Sequence, residues 1–405
     1  MERRGTPDFF LLLMTVLLVG FGIVMVFSAS GPEAATQYGD ALWYTKKQIL
    51  AAGLGAIIML TFMNIPYLKW KRMYLPFFVG VLGLLAFVLT QPAGDKPRSW
   101  IDTGVMSIQP AELAKLAIIV YLAAIITRKG EKFERFRSGL LPVALMVGIV
   151  GGLILLQPDF GSTVVFLFCS AIVIVAGGAN MKHLFLGLIA LAVAGTLFFG
   201  GQMLTKADDD MGRVYQFKRL ECYLNPWQDT QNWCWQQVQA EMAFGHGGVT
   251  GAGFGQSVQK LFYLPEAQND FIFAIIGEEL GFIGVTLFLL LYLAFLWRGI
   301  LVSLRCSDPF GTLIGIGIVG MFGIQAFINI GGVTRAIPMT GITLPFISAG
   351  GSSLLVSMMS MGLLLSISRD AGAVRDKSTK PKPNEGRRPM KKAASRVPEH
   401  VPMIR

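Results

Sequence analysis

Charge is scarce in this chain. Aspartate, glutamate, lysine and arginine make up 15% of its 405 residues, against 53% hydrophobic residues. Soluble domains carry about a quarter charged residues, so this composition excludes an ordinary soluble fold. Cysteine is scarce too: four residues cannot build a disulfide scaffold. The three histidines show no metal-ligand spacing, which argues against a zinc enzyme. The net charge of +10 would suit a nucleic-acid binder if it formed one patch. Instead the basic residues fall in short clusters between apolar runs and in the tail. They are read as a signal of membrane topology, and no nucleic-acid partner is expected.

What is present is a series of long apolar runs. Residues 8–28 form the first, behind Arg3 and Arg4. Ser28-Ala29-Ser30 resembles a signal-peptide cleavage site, but the run exceeds a signal core and is read as a retained helix. Further runs lie at 48–65, 74–91, 111–128, 138–156, 160–177, 182–200, 271–297, 309–332 and 345–368. Each is near the length that crosses the bilayer, predicting an all-α polytopic membrane protein of about ten transmembrane helices. Lys69, Lys71 and Arg72, then Arg128 to Arg137, then Arg298 and Arg305, alternate onto the side of Arg3 and Arg4. That side is expected to be cytoplasmic, with both termini there. Residues 1–370 are thus read as a transmembrane domain. Within it, 201–269 forms a long extracytoplasmic loop before helix eight. Trp227, Trp233 and Trp235 in that loop suit a membrane interface. Residues 371–405 are read as a disordered, basic cytoplasmic tail. Cys222 and Cys234 fall on the outward side, where a disulfide can form, whereas Cys169 and Cys306 do not. Two free thiols remain the alternative.

The chain is organised around Ala243 to Gly281, AFGHGGVTGAGFGQSVQKLFYLPEAQNDFIFAIIGEELG. It begins rich in glycine, passes Lys260 and a Leu264-Pro265-Glu266 turn, and meets an apolar helix at Asn269-Asp270. Asn and Asp are good N-caps, so Asp270 is expected at the helix entrance. The glycines are no dinucleotide fingerprint, which needs a strand–loop–helix context. A plain structural loop is one reading. A substrate-facing loop leading to Asp270 is preferred, because charge at a membrane boundary is costly unless used or paired. Glu278 and Glu279 follow on the same helix and are read as structural or metal-supporting.

The wording from Lys260 to Gly281 strongly resembles the SEDS family of bacterial membrane proteins (shape, elongation, division and sporulation). It is closest to the FtsW and SpoVE branch. Three other blocks follow in order. Arg98-Ser99-Trp100-Ile101 with Gln109-Pro110-Ala111-Glu112 and Lys115 resembles the family's R-x-W and QPSE-x-x-K patterns. Gln157-Pro158-Asp159-Phe160-Gly161-Ser162 resembles QPD-x-G-T. Pro345-Phe346-Ile347-Ser348-Ala349-Gly350-Gly351-Ser352-Ser353 resembles PFIS-x-GGSS, with Ala349 where tyrosine is usual and, upstream, Arg335 where several branches have glycine.

The resemblance implies a SEDS fold and a peptidoglycan glycosyltransferase that polymerises lipid II. It also implies a class B penicillin-binding protein as partner, with division-complex membrane proteins. A lipid II flippase and a scaffold that only recruits a transpeptidase are the alternatives. Inverting transfer needs a base for the acceptor hydroxyl and cations for the leaving pyrophosphate, but no enzyme nucleophile. Asp270 is the candidate base, or the ligand of a divalent cation (Mg or Mn). No organic cofactor is expected. Arg98, Trp100, Lys115, Lys260, Glu266, Arg335 and Ser352 are the candidate substrate contacts. Asp159 needs a partner if sheltered, and Lys115 is expected to pair with it.

Overall fold

The long apolar runs do form helices. The structure, a computed structural model, describes residues 5–91, 99–102, 104, 107–183, 187 and 211–379. In chain order the helices are α1 (Phe9–Tyr38), α2 (Trp43–Asn64), α3 (Tyr67–Leu89), α4 (Pro110–Lys129), α5 (Leu141–Leu155) and α6 (Phe160–Ala176). Then come α7 (Met211–Leu224), α8 (Trp235–Gly247), α9 (Ile272–Leu304), α10 (Pro309–Val333) and α11 (Gly351–Thr379). Among the described residues eight helices are long and apolar enough to cross a membrane, and α6 is a shorter apolar one. The chain is a multi-pass membrane protein. The run at 182–200 and the residue Arg98 lie almost wholly or wholly outside the described residues. A two-residue ribbon, β1 (Ile101–Asp102) against β2 (Ser107–Ile108), pairs Ile101 with Ile108 antiparallel. It returns the chain from Trp100 to Gln109.

Boundaries differ from the apolar runs where polar residues continue a helix. α1 does not stop at Ser28. Ser30 Oγ bonds the Val26 carbonyl at 2.7 Å, and the helix ends at Gly39 in the left-handed region (φ 68°). α11 runs on to Thr379, into the stretch read as tail. The loop 201–269 is not structureless, for it contains α7 and α8.

α4 is buried along most of its length and packs against α3, α6 and α10. α2 lies along α11, and α9 contacts α1, α8 and α10. At one end of the bundle Asp8 caps α1 and receives the Arg298 guanidinium at 2.6 Å. Beside it Arg369 donates to Asn64 Oδ1 at 2.8 Å, and Tyr67 donates to Asp370 at 3.1 Å. The start of α1, the α2–α3 turn and the end of α11 therefore share that end, as the charge pattern requires.

α9 is broken at Gly281 (φ 64°, ψ −170°). The glycine-rich segment repairs the break. Phe282 N–H donates to Gly248 O at 3.0 Å and Ile283 N–H to Val249 O at 3.1 Å. In return Ala252 and Gly253 donate to the carbonyls of Glu278 and Glu279 at 2.9 and 3.0 Å. A Cβ on Gly281 would lie 2.2 Å from Gly251 N, so the two backbones touch. In an apolar medium unpaired backbone groups are costly, and this stitching removes them. The loop preferred above as substrate-facing is thus a structural brace for α9.

Candidate active site

At the opposite end of the bundle a cleft of about 480 Å³ surrounds Asp270. Asp270 does not cap α9. The helix begins at Ile272, its N-cap position is Phe271, and no side chain caps it. Asp270 instead ends the loop, and its backbone is fixed from α10. Asn329 Nδ2 donates to Asp270 O at 2.8 Å and to Ile342 O at 2.7 Å. The carboxylate is left for the cleft.

Gly341 shows what the carboxylate faces. It is in the left-handed region (φ 72°) and has no side chain to fill the space above it. A Cβ there would lie 3.3 Å from Asp270 Oδ2 and 3.5 Å from Arg219 Nη2. Asp270 and Arg219 therefore address the same small volume. Arg219 comes from α7 and also donates to Met339 O at 3.4 Å. Burial raises the Asp270 carboxyl to about 6, the negative charge of Glu266 adds to this, Arg219 opposes it, and Asp159 raises it further.

Of the candidate substrate contacts, Trp100 and Glu266 line this cleft. The others do not. Lys115 is fully buried and pairs with Glu112 at 2.6 Å, one turn away on the same face of α4. The expected Lys115–Asp159 pair is therefore absent. Asp159 lines the cleft, caps α6 by accepting from Ser162 N–H at 2.9 Å, and accepts from Gln109 Nε2 at 2.6 Å. Its charge is satisfied by a helix N-terminus and an amide, while Lys115 takes the nearer carboxylate on its own helix.

Lys260 is also spent inside the fold. It pairs with Glu279 at 2.8 Å and donates to Ser28 at 3.0 Å, all three buried. Glu278 accepts from Ser257, from Val258 N–H at 2.9 Å, and sits 2.8 Å from His246 Nδ1. The adjacent glutamates thus anchor the segment that braces α9. Arg335 pairs with Glu241 of α8 at 3.0 Å, outside the cleft. Ser352 is buried in the first turn of α11, and its neighbour Ser353 lines the cleft instead.

The acids lining the cleft, Glu112, Asp159, Glu266 and Asp270, are the groups that would face a divalent cation. Among the described residues no three His, Cys, Asp or Glu side chains converge to hold one. Glu112 and Asp159, the remaining acids beside Asp270 and Glu266, already have partners.

The sequence reading missed Arg219, Gln109 and Asn329. Gln109 stood in a quoted motif but had no assigned role. Arg219 lies in a polar segment with no spacing signal, and only the return of α7 over the cleft reveals it. In the same segment Cys222 and Cys234 are joined in a disulfide.

The family model for FtsW, RodA and SpoVE, described as "Cell cycle protein", matches residues 9–372. Stage V sporulation protein E of Bacillus subtilis is 43% identical over 371 residues, covering 91% of this chain and 98% of that one. The "Probable peptidoglycan glycosyltransferase FtsW" of Geobacter metallireducens is 39% identical over 364 residues, covering 89% and 94%. A chain from a solved peptidoglycan synthase complex that coordinates polymerization and crosslinking superposes with a TM-score of 0.73 at 29% identity, covering 90% and 98%. The crystal structure of the rod shape determining protein RodA of Thermus thermophilus gives 0.65 at 28%, covering 90% and 97%. On sequence across nearly its whole transmembrane domain, and on fold, this chain belongs to the FtsW, RodA and SpoVE family of cell cycle proteins, the SEDS family.

Proposed function

We propose that this protein is a peptidoglycan glycosyltransferase that polymerises lipid II into β-1,4 glycan strands, serving cell division. The observation that carries the reading is the meeting of Asp270 and Arg219 over Gly341, inside a cleft at one end of the bundle. A carboxylate raised to about 6 is still ionised near neutral pH yet basic enough to accept a proton.

The acceptor sugar presents its 4-hydroxyl to Asp270. As the new O4–C1 bond forms, the hydroxyl proton passes to the carboxylate and the C1–O bond to pyrophosphate breaks. Undecaprenyl pyrophosphate leaves with the electron pair. Arg219 sits where a cation can stabilise that departing charge. Trp100, at the cleft wall, offers an aromatic face to a sugar. Direct displacement at C1 inverts the donor's α-linkage and needs no covalent enzyme intermediate. Both termini are assigned to the cytoplasm, a reading supported by the basic residues at 69–72, 128–137 and 298–305. A class B penicillin-binding protein and division-complex membrane proteins are the natural partners, since the strand made here must be crosslinked.

The test is Asp270→Asn in proteoliposomes with labelled lipid II. Because Asp270 caps no helix, the substitution leaves α9 intact. The wild type is expected to make polymer without another glycosyltransferase, and the variant to lose about 10²–10⁴ in rate while still folding. Polymer from the variant at near wild-type rate removes Asp270 from the chemistry. Lipid moved across the vesicle with no polymer would indicate a flippase, and neither activity a scaffold.

A further inference from the structure

Beside the catalytic cleft lies a second, shallower groove of about 550 Å³, lined by Asn232, Trp233, Trp235, Gln236 and Pro265. Its size falls in the ~300–1,000 Å³ range of small-ligand clefts. None of the five side chains is charged. Two are indoles and two are primary amides.

These residues are held firmly. Asp229 accepts from Asn232 N–H at 3.2 Å and Trp233 N–H at 3.3 Å, which fixes the turn before α8. Trp235 Nε1 donates to Tyr263 O at 2.6 Å, which sets the plane of its ring and ties α8 to the turns leading to Glu266. Cys234, between the two tryptophans, is bonded to Cys222 on α7, one turn beyond Arg219. Trp233 is 45% exposed. The Gln236 amide has no hydrogen-bond partner among the described residues.

The groove adjoins the cleft at two points. Pro265 lines the groove, and the next residue, Glu266, lines the cleft. Trp233 and Gln236 also border a small cavity shared with Arg219, which lines the cleft.

Resting on the glycosyltransferase reading, we infer that this groove is a subsite for the glycan strand itself, holding N-acetylated sugars next to the pair being joined. The chemistry of the lining selects the ligand. An indole face carries negative charge density and attracts the weakly positive C–H face of a pyranose ring. Amides pair with N-acetyl and hydroxyl groups. A lining without cations gives no site for pyrophosphate, so the lipid-linked end belongs in the cleft and the neutral sugars in the groove. A rigid aromatic contact also loses little entropy on binding. The subsite keeps a strand on the enzyme between additions, so its loss shortens the product more than it slows the first coupling.

The test uses the full-length protein in detergent and, as probe, a soluble tetrasaccharide of alternating N-acetylglucosamine and N-acetylmuramic acid. Saturation-transfer NMR on Asp270→Asn, which does not turn over, reads binding alone. Trp233→Ala and Gln236→Ala are each expected to weaken binding at least tenfold, and Trp233→Phe by less. In the active background Trp233→Ala is expected to shorten glycan products severalfold while the initial coupling rate stays within about threefold, a split that general misfolding would not give. Unchanged tetrasaccharide binding and unchanged product length in Trp233→Ala and Gln236→Ala overturn the inference. So does loss of binding to a transpeptidase with glycan length intact, which makes the groove a protein interface. If the wild type makes no glycan, the glycosyltransferase reading fails instead.

Discussion

Arg219→Gln separates the electrostatic role of Arg219 from a merely structural one. The Gly341 geometry, with the carboxylate at 3.3 Å and the guanidinium at 3.5 Å from one point, brackets the two charges. They lie at most about 7 Å apart, and at that limit, with an effective dielectric of about 20, their attraction is about 2 kcal/mol. Asp270 is partly open to solvent, which screens the pair, so about half of this reaches the titration. One pKa unit is about 1.4 kcal/mol, giving a rise of about one unit when the cation is removed. Arg219 stabilises the ionised carboxylate, so the sign is upward, from about 6 towards neutrality. The base works only when ionised, so the rate climbs as pH passes through that value. In Arg219→Gln the acid limb of the kcat–pH profile is expected to move up by about one unit. The plateau at high pH should also fall, because a cation facing the leaving pyrophosphate is gone. Arg219→Lys keeps the charge and is expected to leave the limb in place while lowering the plateau. The assay is lipid II polymerisation at constant ionic strength between pH 5 and 9. A profile whose acid limb stays put in Arg219→Gln refutes the coupling.

Three further outcomes are expected. Lys115→Met and Glu112→Gln each strand a buried partner and should cost about 3–5 kcal/mol, while the double variant with Glu112→Leu should lose much less; additive losses in detergent melting would exclude the pair. Gly281→Ala forces a side chain into the left-handed region and against the Gly251 backbone, so it should lose at least about 3 kcal/mol and most folded yield in size-exclusion profiles; wild-type melting would refute the close crossing. Removing the Cys222–Cys234 bridge, whose partners are 12 residues apart, should lower stability by about 3 kcal/mol by the chain-entropy relation; a wild type whose melting ignores reductant would contradict it.

The helices were legible because their cause is local. A run such as 111–128 is apolar and long enough to span, whatever its neighbours do, and α4 appears there. That Asp270 stands where the loop meets α9 was legible too, from its motif and from the cost of charge at a membrane boundary. The disulfide partners could be read from which side of the membrane each cysteine occupies. Where a charge finds its partner could not be read, because that depends on distances between helices. Lys115 had Glu112 and Asp159 as rivals, and the choice fell to Glu112 once α6 used Asp159 as its own cap. Lys260 looked like a substrate contact until Glu279, nineteen positions away, turned inward beneath it. The glycines of 247–253 signalled close backbone approach, but only the break at Gly281 decided that they approach α9 and not a ligand. Asp270 itself was read as a cap because its residue type suits one, yet the bonds from Asn329 hold its backbone outside the helix and turn its carboxylate towards Arg219. Sequence fixes what each segment can bury; tertiary packing decides which polar groups that burial leaves facing one another.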